Sequence, residues 1–203
     1  MSAPSARPKK TKHRMILAAM DLFHAQGVRA TSPQDVMDRT ATGKSQFYHH
    51  FGSKEGLVHE TLQYFYAQMC EGQFNNQPIR TWKGLEAWFG FFVTVSKQYD
   101  CQRGCPIGTI GNELDPAQEL IRQDVNAVFT KAMANLERFF DNQKEQKRLK
   151  VGADPQELAQ FCFATLQGGL LVSKVQRHPQ ALEAAVKNAL IYLKSLRQSG
   201  GAA

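Results

Sequence analysis

The stretch from Lys44 to His50 contains side chains that suit contact with phosphate groups and with the edges of nucleic-acid bases. It supplies an ammonium group, a hydroxyl, an amide, a phenol and two imidazoles, all able to donate hydrogen bonds. On a helical wheel Phe47 and Phe51 fall together. The opposite side carries Ser45, Tyr48 and His49, with Gln46 at its edge. One face of this predicted helix therefore packs, and the other is available to a polar partner.

The preceding residues predict the elements that position this face. Ser32 and Asp35 form an S-x-x-D capping pattern, which predicts a helix over residues 33–39. Residues 40–43 contain weak helix formers and a glycine, as expected for a short turn. The second helix then covers residues 44–50. This is helix-turn-helix geometry, in which the second helix enters the DNA major groove.

At these residues the chain resembles the tetracycline-repressor (TetR) family of bacterial transcriptional regulators. The matching strings are FYHHFGSKEGL, Phe47 to Leu57, and ILAAMDLFHAQGVRATS, Ile16 to Ser32. The resemblance implies an all-α fold, with an N-terminal three-helix helix-turn-helix DNA-binding domain and a C-terminal helical ligand-binding and dimerisation domain. Two residues depart from the family pattern. Gly43 stands where Ser or Thr is usual, and His50 replaces a more usual aromatic residue.

The outward face and the resemblance together predict the DNA contacts. Phosphate contacts are expected mainly from Lys44, Tyr48, His49 and Lys54. Ser45 and Gln46 are expected nearest the base edges. The full set of predicted DNA-binding residues is Ser32, Lys44, Ser45, Gln46, Tyr48, His49 and Lys54. The expected partner is a near-palindromic operator in double-stranded DNA, because a dimer places two recognition helices one duplex turn apart.

The positive charge of the chain is concentrated at its start. The net charge is +7, and five positive charges precede the first acidic residue, on Arg7, Lys9, Lys10, Lys12 and Arg14. We expect this tail to contact phosphate, with a solvated disordered tail as the alternative. The apolar run over residues 15–20 is too short for a signal-peptide core or a membrane span. A cytoplasmic protein without a membrane partner is therefore predicted.

Apolar spacing and capping signals predict helices along nearly the whole chain. The fourth helix is expected as one rod from Ser53 to about Phe74, and residues 100–112 as a loop with one helical turn. The segment GCPIG, Gly104 to Gly108, is similar to one that a subset of the family carries before a short helix beside the ligand cavity. The run over residues 144–150 is expected as the solvated end of a helix. The other helices are expected to start at or near Lys10, Thr81, Pro116, Pro155 and Pro179. We place the DNA-binding domain in residues 1–52 and the ligand-binding and dimerisation domain in residues 53–203.

The last two predicted helices are apolar on two sides. Gly168 and Gly169 permit close backbone approach in the first, and the second repeats apolar residues at 4,3,4,3 spacing. Such helices need two partners, one in their own domain and one in a second copy, which gives a four-helix dimer interface. A larger monomer core is the alternative. The predicted interface residues are Phe161, Gly168, Val172, Val186, Ala189 and Leu193.

Aromatic side chains are concentrated in the middle of the chain. Each one favours a core position by itself, but the resemblance implies a ligand cavity among these helices, and such cavities have apolar walls with a few polar groups. The expected ligand is a small apolar or aromatic effector that releases a repressor from its operator. The predicted ligand-binding residues are Trp88, Phe92, Tyr99, Asn112, Phe129 and Met133, with Glu113 as a second polar candidate.

Cys101 and Cys105 suggest an alternative, a repressor that senses oxidants or electrophiles, because Arg103 lies between them and favours a thiolate. Ordinary buried or loop cysteines are the simplest interpretation. A zinc site would need four ligands, and no second Cys/His pair accompanies this one, so no metal is predicted. The four cysteines form no disulfide framework, and a cytosol would keep them reduced.

Catalytic motifs are missing from the sequence. We find no Gly-rich phosphate loop, nucleophile elbow, His-x-x-x-His pair or paired-carboxylate motif. The chain is therefore predicted not to be an enzyme and to need no cofactor. The rival classes are a small helical thiol enzyme that uses Cys105 with a histidine, and a purely structural helical dimer.

Overall fold

A computed structural model describes residues 6–198, and the side chains of residues 10–198. Within this range the chain is all-α, as predicted, and its one extended pairing is an isolated bridge between Leu149 and Arg197. The helices are α1 (Ala6–Gln26), α2 (Pro33–Thr40), α3 (Lys44–Phe51), α4 (Lys54–Cys70), α5 (Trp82–Gln98), α6 (Pro106–Asn112), α7 (Glu119–Glu145), α8 (Pro155–Gln176) and α9 (Gln180–Ser195).

The chain divides into two compact units. Unit 1 comprises the described residues up to Ala67 together with Pro106–Val128. Unit 2 comprises Gln68–Cys105 and the described residues from Phe129 onward. Helices α4 and α7 each contribute residues to both units. The predicted functional division after residue 52 stays a prediction, because these units are defined by packing alone.

Unit 1 combines the first helices with a later segment. Helix α1 packs on α2 and on α6, and α2 packs on α3. Phe23, Phe47 and Leu57 are buried almost completely. Helix α1 begins at Ala6 and not near Lys10 as predicted. The basic residues Arg7 and Lys9 therefore fall in its first two turns, and their predicted phosphate contacts lie outside the described side chains.

Unit 2 has a continuous apolar core. Helices α8 and α9 form its most extensive packing, and Leu166, Leu182 and Leu193 are buried at their contact. A β-carbon added to Gly169 would lie 2.9 Å from Leu182 Cδ1 and 3.2 Å from Leu182 Cα, whereas Gly168 faces open space. Of the two glycines predicted to permit close backbone approach, Gly169 therefore does so at this contact and Gly168 does not.

Helix α4 ends at Cys70, which corrects the predicted end near Phe74. Gly72 has φ of +80°, where glycine carries no steric penalty. The N–H groups of Gly72 and Gln73 donate to the carbonyls of Met69 (3.0 Å) and Gln68 (2.9 Å). This is a Schellman motif, which satisfies the last carbonyls and stops the helix.

Three further boundaries differ from the prediction. Residues 106–112 form α6, which is longer than the single helical turn expected in this loop, because burial of Ile107 and Ile110 outweighs the weak propensity of this glycine-containing segment. Helix α7 begins at Glu119, and Asp115 instead caps a turn by accepting from Ala117 N–H at 2.9 Å. The predicted solvated run over residues 144–150 contains Leu149, which is buried.

Candidate functional site

The N-terminus of α2 is held by a capping box, as predicted. The Ser32 hydroxyl accepts from Asp35 N–H at 3.2 Å and donates to Asp35 Oδ2 at 2.9 Å. The Ser32 N–H donates to the same carboxylate oxygen at 2.7 Å. These hydrogen bonds hold the pKa of Asp35 below its ordinary value, and the one from the Ser32 backbone N–H has the largest effect. The hydroxyl of Ser32, a predicted DNA-binding residue, is therefore already engaged in its own cap.

The turn between α2 and α3 is closed by its own backbone. Ala41 has φ of 48°, and the Thr42 N–H donates to the Met37 carbonyl at 3.0 Å. Arg14 Nη2 donates to the Thr40 carbonyl at 2.8 Å, which ties α1 to the turn. Gly43 is the N-cap of α3 and provides no side-chain hydrogen bond. The start of α3 is thus fixed by the turn and not by a cap of its own.

Helix α3 has the two faces that the sequence predicts. Phe47 and Phe51 are buried, with ring centroids 5.3 Å apart. The side chains that remain exposed are the predicted ones, Lys44, Ser45, Gln46, Tyr48 and His49. Among the described residues Lys44 has no ion-pair partner. This face offers the ammonium group of Lys44 together with hydroxyl, amide, phenol and imidazole groups on about two turns of helix.

His50 differs from its neighbour His49. It is half-buried, and burial lowers its pKa, with smaller contributions from the charges of His49 and Lys12. A neutral imidazole is a poor phosphate ligand compared with a cation. The residue that departs from the family pattern therefore contributes to packing around Phe51, with ring centroids 6.0 Å apart.

Several predicted phosphate ligands already contact unit 1 itself. Lys54 Nζ lies 3.3 Å from the Arg29 carbonyl, at the turn between α1 and α2. Lys12 forms an ion pair with Glu60 at 2.7 Å. For Lys54 and Lys12 a contact with DNA would have to compete with, or be added to, these interactions.

The sequence does not predict the position of Glu113. This residue, a polar candidate for the ligand cavity, accepts from Arg29 N–H at 2.7 Å. Its Oε1 would lie 2.1 Å from a β-carbon at Gly27, whose φ is +88°. The segment after α6 thus holds the turn that precedes the helix-turn-helix unit. The only sequence signal is Gly27 itself, which ends α1.

The predicted ligand-binding residues divide between the two units. Trp88 is buried in the core of unit 2, with its ring 5.1 Å from that of Phe92. Phe129 contacts Phe163 at 4.9 Å between ring centroids. Tyr99 is 40% exposed, Met133 is half-buried, and Asn112 is exposed at the end of α6 in unit 1. The structure therefore joins Trp88 with Phe92, while Trp88 serves as a core residue.

Half of the predicted dimer residues face inward. Val186, Ala189 and Leu193 are buried in the core of their own unit. This burial disfavours their assignment to a dimer interface, which stays a prediction. The 4,3,4,3 repeat of α9 identifies its inner stripe, because α8 covers it. Phe161, Gly168 and Val172 do lie on the surface. The exposed apolar side chains of α8 and α9 are Phe161, Leu171, Val172, Val175, Ile191 and Tyr192.

None of the four cysteines forms a disulfide bond. Cys101 is buried, and Ser96 Oγ lies 3.6 Å from its sulfur. Cys105 is half-buried and precedes α6. Burial raises the pKa of Cys162 to about 12, so this thiol stays protonated at neutral pH. Among the described residues no group of three or more metal-binding side chains is present.

Comparison with known proteins gives a consistent result. Residues 16–61 match the model of the bacterial regulatory proteins, tetR family, and residues 82–189 match that of the Tetracyclin repressor-like, C-terminal domain. The HTH-type transcriptional repressor DhaR of Mycobacterium sp. (strain GP1) is 23% identical over 172 residues, which cover 85% of this chain and 86% of that protein.

Two solved structures show the same fold. The regulatory protein TetR from Rhodobacter sphaeroides has a TM-score of 0.78 at 17% identity and covers 90% of this chain and 98% of its own. A complex of SmeT with triclosan has a TM-score of 0.69 at 19% identity and covers 95% of this chain and 93% of its own.

The two family matches together span both the helix-turn-helix unit and most of the C-terminal region. The chain belongs to the TetR family of transcriptional regulators and is a DNA-binding repressor of that family.

Proposed function

We propose that the protein is a cytoplasmic homodimer that uses the exposed face of α3 to read a near-palindromic operator and leaves it when a small apolar or aromatic molecule binds unit 2. The observation that carries the DNA-reading part is the division of α3 into two faces. Phe47 and Phe51 are buried, while Lys44 and Gln46, both in the first turn of α3, are exposed. An exposed amide suits contact with a base edge in a major groove, and an exposed ammonium group suits contact with phosphate.

An unbiased DNA selection with the purified full-length protein tests this assignment. We expect enrichment of sites with two related half-sites whose centres are about one or two duplex turns apart, roughly 34–36 Å for each turn. Affinity for the enriched site should exceed that for random duplex of equal length by on the order of 10³ or more at physiological salt. Selection of single, unpaired half-sites would contradict a dimeric reader.

The outer surface of α8 and α9 supports the dimer. By length and composition α8 is also apolar enough to cross a membrane, alone among the described helices. Its buried residues Leu158, Leu166 and Leu170 pack in unit 2, and this packing favours a core helix over a lipid span. A second copy related by a two-fold axis would cover the exposed apolar side chains with its own identical apolar surface.

The effector is proposed from the fold and from one relative, because SmeT is a TetR-type structure solved with triclosan, an aromatic molecule. For this chain we favour Phe92 and Met133, both half-buried, as contact residues. A hundredfold preference of the effector for the dimer that cannot bind operator supplies about 2.7 kcal/mol of coupling. Operator should then weaken effector binding by the same factor.

Variants at Phe92 test the effector better than variants at Trp88. Trp88→Ala would remove a core side chain and cost roughly 3–5 kcal/mol of stability, so its effect on ligand response is ambiguous. Phe92→Leu keeps an apolar volume at a half-buried position. We expect a lower effector affinity with unchanged operator affinity, measured by fluorescence anisotropy of labelled operator during effector titration.

Regulation by a thiol remains the alternative, and the half-buried Cys105 is the better candidate of its two residues, because Cys101 is buried. In that case oxidant would release operator from the unmodified protein and not from Cys105→Ser. Release by a reversible apolar ligand in the Cys101→Ser, Cys105→Ser double variant would show that no thiol is needed.

A further inference from the structure

A groove in unit 2 is lined by none of the residues predicted to bind the effector. It has a volume of about 370 Å³ and lies between the segment that precedes α5 and the second half of α7. Ile79 and Phe139 line it, and both are buried apolar residues. The groove therefore offers an apolar surface that is accessible to solvent.

The charge of the groove has one sign. Arg80 and Arg138 line it, and no acidic side chain does. Arg138 Nε donates to the Ala134 carbonyl at 3.2 Å, which leaves its terminal nitrogens available. Within the described part of the chain neither guanidinium has a carboxylate partner. Arg80 also precedes Thr81, the N-cap of α5, where the helix dipole adds positive potential. Two unpaired cations beside apolar residues favour an anion.

Gln143 supplies an oriented donor in the same groove. Its side chain is only 4% exposed, and its Oε1 accepts from Trp82 Nε1 at 2.9 Å. The indole N–H can only donate, so the amide oxygen must face Trp82 and the amide nitrogen must face away. That nitrogen has no hydrogen-bond partner among the described residues. Every fully buried side-chain nitrogen or oxygen in the described part of the chain does have a partner, so Nε2 is not fully buried. Nε2 therefore reaches the open space that Gln143 lines.

We propose that this groove binds a small organic carboxylate. The carboxylate lies between Arg80 and Arg138, accepts from Gln143 Nε2, and leaves its apolar part against Ile79 and Phe139. Guanidinium groups match the two oxygens of a carboxylate, and their weak hydration lowers the cost of bringing them beside apolar surface. The buried apolar residues favour an organic acid over inorganic phosphate. The proposal does not depend on the effector assignment, since all its residues lie in unit 2 and its test involves no DNA.

Titration of the full-length protein with benzoate tests the site. The side-chain amide signals of Gln143 report binding in a ¹⁵N-correlated NMR spectrum, and calorimetry gives the affinity. Benzamide, which has the same ring without the charge, should bind at least about tenfold more weakly, and Arg80→Gln and Arg138→Gln should each weaken benzoate about tenfold. Arg177→Gln is the matched control, because Arg177 is an exposed C-cap residue of α8 outside the groove and should leave the affinity unchanged.

Results of these titrations that would overturn the proposal can be named in advance. They are the absence of benzoate binding, equal binding of benzoate and benzamide, retained binding in the Arg80→Gln, Arg138→Gln double variant, and equal binding of benzoate and inorganic phosphate. Both arginines are exposed, so their variants should fold, and far-UV circular dichroism checks this. Benzoate that shifts the signals of Trp88 and not those of Gln143 would also place the ligand elsewhere and reject the groove.

Discussion

Helix α3 and the α8–α9 pair both hide one face and expose another, but the exposed faces differ in chemistry. On α3 the outward side chains include Lys44, Gln46 and His49. On α8 and α9 they include Val172 and Ile191, which are 42% and 57% exposed. Covering apolar surface is worth about 25 cal/mol per Å², whereas covering a charge costs free energy unless an opposite charge meets it. The chemistry of the outward faces therefore indicates a polyanionic partner for α3 and an apolar partner for α8 and α9.

The largest effect is expected from a charge on the inward stripe of α9. Leu193 is completely buried in the core of unit 2. In Leu193→Glu an unpaired carboxylate would replace core packing, and we expect a loss of at least about 4 kcal/mol of unfolding free energy. Urea denaturation followed by circular dichroism measures this. A well-folded protein that has lost only its dimer would show that Leu193 belongs to the interface after all.

A charge on the outward stripe of the same helix should separate protomers without unfolding them. Ile191→Glu places a carboxylate where we propose that a second copy packs, so the sedimentation coefficient should fall to that of a monomer while the helical signal is retained. Leu120→Glu is the matched control, because Leu120 is similarly exposed at 50% but lies on α7 in unit 1. An intact Ile191→Glu dimer would exclude this face.

These two variants also show what the sequence can predict. The caps at Ser32 and Asp154, the break after Gln26 and the two faces of α3 follow from local rules, and the structure agrees with them. The repeat on α9 establishes that a stripe is apolar, but not which neighbour covers it, because α8 and a second copy offer equivalent surfaces. That choice depends on tertiary packing, which places Leu193 inside.

The DNA-facing residues allow a graded test. Gln46→Ala should relax sequence preference at one base position by roughly 1–3 kcal/mol, because an amide that reads a base edge is lost. Lys44→Ala should weaken all sites alike and reduce the slope of log K against log salt by about two for a dimer. Lys83→Ala, an exposed lysine of α5 in unit 2, is the control. Unchanged binding in both α3 variants would reject this interface.

Long-range contacts are the part that local patterns do not contain. Helix α6 lies in a segment whose glycines predict a loop with one helical turn, and Glu113 after it contacts Gly27 and Arg29, more than eighty residues earlier. Glycine frequency favours a loop over most of residues 100–112, and the burial of Ile107 and Ile110 in the fold explains why the helix is longer than one turn. The groove at Arg80 and Gln143 likewise joins residues that are distant in the sequence.

The contact of Glu113 with the first turn gives a smaller prediction. Gly27→Ala would place a β-carbon at φ of +88° and displace the Glu113 carboxylate, so we expect a loss of about 1 kcal/mol or somewhat more of unfolding free energy. In Glu113→Ala the displaced carboxylate is already gone, and the added cost of Gly27→Ala should fall. A double-mutant cycle in urea measures the difference. Full additivity of the two variants would show that Glu113 does not constrain Gly27.

The smallest expected effect concerns the start of α3, where Gly43 replaces the usual hydroxyl residue. Gly43 has φ of −95° and ψ of 162°, the extended conformation of an N-cap, and no atom lies within 4 Å of an added β-carbon. Serine therefore fits without strain, and its hydroxyl would accept from a free N–H of the first turn, for a gain of a few tenths of a kcal/mol. Gly43→Ala is the control, since it restricts the unfolded chain without an oxygen and should be less stable than Gly43→Ser. The unfolding midpoint measures both.

If the same hydroxyl also donates to phosphate, Gly43→Ser should raise affinity for operator and random duplex equally, because a contact at the helix start carries no base information. A gain confined to operator would mean that residue 43 lies nearer the bases than the face of α3 implies.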